Sequence, residues 1–114
     1  MKLQPSLRHK KRYIVFEIQG EQPLQVSMQE LQQEVERALL LFLGQLGVAK
    51  AEPMFLKEKM KIEEKSIRFV LKVAHNWVDE CKSAMILIKK IKNQNVLVRS
   101  IITSGTLKGI AKYL

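Results

Sequence analysis

Cysteine is nearly absent from the 114 residues: Cys81 stands alone and cannot close a disulfide within the chain. A reducing compartment is the natural setting for such a sequence. Histidine is scarce too, and neither His9 nor His75 has a Cys, an Asp or a second His at metal-ligand spacing. That pattern speaks against a zinc site. No apolar run approaches the roughly twenty residues that a membrane-spanning helix needs. The basic residues at the start are not followed by the apolar stretch and small-residue cleavage site of a secretory signal. A soluble, cytoplasmic protein with no membrane partner is therefore expected. Glycine-rich phosphate loops of the Walker or dinucleotide type are missing. No carboxylate pair is marked out by spacing either, since adjacent Glu63 and Glu64 point to opposite faces of an extended chain. Cys81 falls on the apolar side of a helical pattern, where a thiol packs as a small hydrophobe. An enzyme with its own catalytic residues is a weak reading.

Hydrophobic residues form 46% of the chain, enough for a real core and for one compact domain rather than two. Against that, 20 Lys and Arg outnumber 11 Asp and Glu, for a formal net charge of +9. Such an excess implies a polyanionic partner. It is also unevenly placed. Residues 1–12 carry +5, residues 13–46 carry −4, and residues 76–114 carry +5. Cations at the two chain ends would bind phosphates by charge and counterion release, which gives affinity without reading sequence.

Residues 1–12 read as an extended basic arm. Arg12 to Ile18 is a strand, with Ile14, Phe16 and Ile18 on one face and Tyr13, Val15 and Glu17 on the other. Ser27 and Glu30 have capping-box spacing and open a helix. Leu31, Val35, Leu39, Phe42, Leu43 and Leu46 follow at helical spacing, and Gly44 and Gly47 suit its close. Pro53 argues for an edge strand or bulge between Ala49 and Met60, and the charges from Lys61 to Lys65 for a hairpin turn. Ile67, Phe69, Leu71 and Val73 then alternate with Arg68 and Lys72 as a half-buried strand. Asn76, with Asp79 three residues on, is expected to cap a second helix reaching Ile91, with Lys89, Lys90 and Lys92 in its last turn. Val96 to Ile102 is a final strand and Thr106 to Leu114 a short basic helix. The fold class expected is α+β: a ferredoxin-like or RRM-like split βαβ sandwich over residues 13–103, with an arm (1–12) and a tail helix (104–114). Two helices would cover one face of an antiparallel sheet and leave the other free.

An ordinary RRM would carry stacking aromatics on its third strand. Here that strand runs Ser66-Ile67-Arg68-Phe69-Val70-Leu71-Lys72-Val73, without the expected glycine. Phe69 is in phase with the core, so stacking of single-stranded bases on this sheet is not expected. The face with Tyr13 and Val15 is instead a place for a protein partner, with ordinary packing as the competing role. Other readings of the same fold remain open: a small-ligand or protein-binding module without RNA, or a hydrolase in its own right.

At this point three separated segments resemble archaeal ribonuclease P protein component 2. Pro5-Ser6-Leu7-Arg8-His9-Lys10-Lys11-Arg12-Tyr13-Ile14-Val15-Phe16 is similar to that family's P-x-L-R-x-K-K-R-Y-I-x-F start. Phe42-Leu43-Gly44, with Leu46-Gly47 and Ala49-Lys50-Ala51, resembles its F-L-G-x-L-G-x-A-K-A segment. Ser104-Gly105-Thr106-Leu107-Lys108 resembles its closing S-G-T-I/L-K. The resemblance implies a non-catalytic subunit in the 5′ maturation of tRNA, with catalysis by an RNA subunit that uses magnesium. No cofactor bound by this chain is implied. The implied partners are the ribonuclease P RNA, protein component 3, a second copy in a two-plus-two heterotetramer, and precursor tRNA as the complex's substrate. Phosphate contact is then expected from Arg8, Lys10, Lys11 and Arg12, with Lys108 and Lys112 helping. Ser104, Gly105 and Thr106 match the family motif: glycine would admit an RNA backbone and the hydroxyls would bond phosphate. Equally, the three residues would simply form the turn and cap of the tail helix.

Overall fold

The computed structural model describes residues 10–114. Its elements run β1 (Lys11–Gly20), α1 (Met28–Ala51), β2 (Met54–Phe55), β3 (Lys61–Ile62), β4 (Ser66–Ala74), α2 (Val78–Ile86), β5 (Lys90–Ile91), β6 (Gln94–Ser104) and α3 (Leu107–Ile110). All pairings are antiparallel, in the order β2-β4-β1-β6-β5, with β3 also on β4. The expected strand, helix, strand, strand, helix, strand succession is present, with β1 and β4 at the centre of the sheet.

Period-two alternation decides the helix side of that sheet. Ile14, Phe16 and Ile18 of β1 and Ile67, Phe69, Leu71 and Val73 of β4 form one buried cluster with Leu31, Val35 and Leu39 of α1 and Cys81, Ala84 and Met85 of α2. Phe69 stacks between Phe16 at 5.3 Å and Phe55 at 5.6 Å, and is core as its phase indicates. Ser27 and Glu30 close the capping box at the start of α1, satisfying donors that the first helical turn leaves open.

Several boundaries differ from the sequence reading. Helix α1 does not end at its glycines. Gly44 takes φ 73° and ψ 172°, kinking the helix, which resumes and runs to Ala51. The edge strand between Ala49 and Met60 is only Met54–Phe55, and Lys61–Ile62 is a second short strand, which moves the turn to residues 63–65. Asn76 caps nothing: a 3-10 turn at His75–Trp77 leads directly into α2, with no side-chain cap. Helix α2 stops at Ile86, five residues before the expected Ile91. Lys90 and Ile91 pair instead with Asn95 and Gln94, and Lys92 and Asn93 adopt φ 53° and 66°. Positive φ at both central residues is the two-residue hairpin turn that matches the twist of the flanking strands. Lys89, Lys90 and Lys92 therefore sit at a hairpin, not at a helix end.

The largest correction concerns the second face of the sheet, which is not free. Ile110 of α3 is buried there with Val15, Val70 and Leu56, and Tyr113 and Leu114 pack around them.

Candidate nucleic-acid interface

The tail-side face is organised in rows across three strands. Lys72, Tyr13 and Ser104 lie side by side; Val70, Val15 and Ile102 form the next row; Arg68, Glu17 and Arg99 form the third. A bulge at Ile101 lies between the last two rows on β6, a local extra residue that bends and twists the strand. The tail helix closes the middle row. Val15, expected as a partner contact, is 0% exposed beneath it, so it packs and presents nothing. Tyr13 is half-buried at the margin of the same cluster.

The third row anchors the end of the tail. Arg68 Nε donates to Glu17 Oε2 at 2.9 Å, and Arg99 Nη2 donates to Glu17 Oε1 at 2.9 Å. Arg68 Nη1 also donates to the Tyr113 carbonyl at 2.6 Å. Burial pushes the Glu17 carboxyl up, but the hydrogen bonds from Arg99 and Arg68 outweigh it and hold it below the usual carboxylate range. Two of the sequence's cations are thus consumed within the fold.

The first row leads to the expected RNA-binding residues. Strand pairing sets Tyr13 opposite Ser104, which brings the end of the arm against the Ser104-Gly105-Thr106 turn. An atom added at Gly105 would meet the Arg12 guanidinium at 3.5 Å, an ordinary contact. The fold itself does not require glycine there. Gly109 does need to be glycine, because a side chain would collide with Ser104 Oγ. Ser104 Oγ accepts the Thr106 N–H at 3.3 Å, and Thr106 Oγ1 caps α3 by accepting the Gly109 N–H at 3.1 Å. Turn and cap are real roles for this motif. Each hydroxyl still has its proton to donate.

Lys10 is exposed, and its carbonyl accepts the His75 N–H at 2.8 Å, which ties the arm's root to the end of β4. The His75 ring Nδ1 also lies 3.3 Å from the Lys10 carbonyl. Lys11 pairs with Glu52 at 3.3 Å. Lys108 and Lys112 are exposed on the tail, the latter with its ammonium 5.3 Å from the Tyr113 ring. Arg8 lies outside the described residues. The structure brings Lys10, Lys11, Arg12 and residues 104–108 to one end of the sheet. Lys89, Lys90 and Lys92 lie at the opposite end, where Lys92 pairs with Glu30 at 3.0 Å. The charge of residues 76–114 is consequently split between two ends.

One surface was invisible in the sequence. Leu41 is 79% exposed, Leu46 69% and Leu87 58%, although helical spacing made Phe42 and Leu46 look like core. Beyond the kink at Gly44 the helix buries Gly47 and Ala51 and leaves Leu46 on its solvent side. A cleft of about 350 Å³ between α1 and α2 is lined by Ala38, Leu41, Phe42, Ala84, Leu87 and Ile88, with Arg37, Lys89 and Lys90 at its margin. Groups with nucleophilic promise are absent from it: Cys81 is buried elsewhere, its thiol pushed up to about 12 by burial and by Glu80. Among the described residues no three His, Cys, Asp or Glu side chains gather where they could hold a metal, and no helix is long and apolar enough to cross a membrane.

Comparison with known proteins bears on this arrangement. The family model described as Rpp14/Pop5 matches residues 12–114. The chain is 36% identical to Ribonuclease P protein component 2 of Thermococcus kodakarensis, over 96% of this chain and 87% of that protein. It is 34% identical to the protein of the same name from Methanosarcina barkeri, over 94% of this chain and 73% of that one. Its fold is similar to a chain in a cryo-EM structure of yeast ribonuclease MRP, with a TM-score of 0.63 and 17% identity, covering 93% of this chain and 79% of the other.

Proposed function

Because the chain belongs to the Rpp14/Pop5 family, we propose that it acts as a protein subunit of ribonuclease P, binding the catalytic RNA and assisting removal of the 5′ leader from precursor tRNA. The observation that carries this reading is the meeting of the arm's root with the Ser104-Gly105-Thr106 turn, where Arg12 flanks a glycine that the fold does not need. Lys10, Lys11 and Arg12 neutralise phosphates there, with Lys108 and Lys112 extending the cationic surface along the tail, and Arg8, outside the described residues, adds a further phosphate contact. Ser104 and Thr106 donate their hydroxyl protons to phosphate oxygens while their lone pairs hold the turn. Charge neutralisation of this kind lowers the repulsion between RNA backbones. Bond cleavage is assigned to the RNA subunit and its magnesium ions, and this chain binds no cofactor. The complex works in the cytoplasm.

The same reading includes a protein partner, component 3, and a second copy of this chain in a two-plus-two assembly. The exposed leucines and the cleft between α1 and α2 suit a protein partner far better than the Tyr13–Val15 face does, because large apolar patches left open to water mark interaction sites. Reconstitution tests the whole proposal: precursor-tRNA cleavage by the RNA subunit and the remaining proteins at low magnesium. Adding this chain should accelerate cleavage. Equal rates with and without it would refute the role.

A further inference from the structure

We infer that Tyr13 and Lys72 form a subsite for one unpaired nucleotide of RNA, the phenol ring stacking on its base and the ammonium meeting its phosphate. The inference rests on the RNA-binding role above and names a contact that this role alone does not require.

Position is the first argument. The tail helix buries the row containing Val15 and Val70, but not the row before it. Tyr13 and Lys72 are direct cross-strand partners and each is half-buried, while Met54, opposite Lys72 on β2, is 55% exposed. An aromatic ring thus stands at the open margin of a sheet face that is closed elsewhere. Packing against the Val15 cluster holds the ring, so stacking on it would cost little conformational entropy.

Charge is the second argument. Lys72 Nζ lies 5.8 Å from the centre of the Tyr13 ring, and among the described residues no carboxylate pairs with it. Arg12 and the Ser104-Gly105 turn adjoin the same ring along the sheet. A ring, a cation lying over it that no carboxylate holds, and a backbone turn open to close approach make a site for a base and its phosphate together once the lysine swings from the ring face to the phosphate. Base-paired RNA hides its bases within the stack, so only an unpaired nucleotide can reach the ring. A protein would more naturally meet this row with a carboxylate and would not need the glycine turn.

The test uses the full chain and two RNA hairpins, one blunt and one with a short single-stranded 3′ extension carrying a fluorescent adenine analogue. Binding is followed by anisotropy and stacking by quenching of the analogue. The parent should prefer the extended hairpin and quench it. Tyr13→Leu, which keeps apolar packing, should lose about tenfold in affinity for the extended RNA and abolish quenching. Its binding to the blunt hairpin should not change, and Tyr13→Phe should behave as the parent. Lys72→Ala should flatten the salt dependence for the extended RNA. Parental binding and quenching by Tyr13→Leu would overturn the subsite, as would a parent that binds both hairpins equally. So would a Tyr13→Leu chain that binds RNA normally but no longer binds protein component 3, which would give this row to a protein. A parent that binds neither hairpin would overturn the RNA role itself.

Discussion

On the helix side of the sheet, the inward residues of β1 and β4 are apolar and sealed under α1 and α2. On the tail side, the same two strands carry Tyr13 and Lys72, then Val15 and Val70, then Glu17 and Arg68. One face is uniform and the other is graded from an open aromatic margin through an apolar middle to an ion network around the buried Glu17. The contrast separates stability from recognition: the uniform face holds the fold together, and the graded face spends only its middle row on packing.

That contrast can be broken from the stability side first. Phe69→Ala should remove the ring stacked between Phe16 and Phe55 and cost about 3–5 kcal/mol, the usual loss for a fully buried aromatic. Urea unfolding followed by circular dichroism would read it as a lower midpoint. Ile110→Ala, on the tail side, should cost less, about 2 kcal/mol, at the low end for a buried aliphatic side chain because the surrounding cluster is small. An Ile110 loss as large as that of Phe69 would erase the distinction between the faces.

Glu17→Gln sharpens the same comparison through pH. Its carboxyl is held below the ordinary range when folded, so the folded state binds that proton less readily than the unfolded chain. The stabilisation is present above the ordinary carboxylate range and is lost as pH falls below it through the lowered folded-state value. Because the Arg99 side chain is 56% exposed, solvent screens half of the network, and the substitution should cost about 1 kcal/mol at neutral pH. The difference between parent and variant should vanish in acid. Some acid sensitivity should survive in the variant, since Glu30 is also held low, first by the Ser27 backbone N–H and then by Lys92. The smallest expected effect is that of Lys92→Ala, which breaks an exposed pair with Glu30 and should leave the urea midpoint indistinguishable from the parent's, because such pairs are screened by solvent.

The helix side was legible in the sequence because strand and helix periodicity act over neighbouring residues. Ile14, Phe16 and Ile18 declare a buried face by alternation, and Ser27 with Glu30 declares a helix start. The tail side was not legible, for reasons that are also physical. Glu17 finds Arg68 and Arg99 at separations of 51 and 82 residues, and no local pattern announces such a pairing. Ile110 lies in a tail helix too short to show a period. Lys92-Asn93 forms a tight hairpin without the Asn-Gly or Asp-Gly pair that normally signals one, so the lysines around it looked like a helix end. Gly44 was recognised as a helix breaker, but its consequence, turning Leu46 out to solvent, depends on where the rest of the fold allows the chain to go. The candidate interface was half visible: its residues could be named from charge and motif, whereas the contact between Arg12 and Gly105 exists only because β1 and β6 pair in the observed register.

The salt dependence of binding to ribonuclease P RNA addresses the cationic end of the sheet most directly. It is to be measured for the parent, for a chain with Arg8, Lys10 and Lys11 changed to Ala, and for one with Lys89, Lys90 and Lys92 changed to Ala. The arm-substituted chain should bind more weakly, with a shallower decline of log affinity against log salt and an unchanged unfolding midpoint. The hairpin-substituted chain should keep the parent's slope. An arm-substituted chain with the parent's slope, or a loss confined to the hairpin lysines, would contradict the assignment of RNA binding to the end where Arg12 meets Gly105.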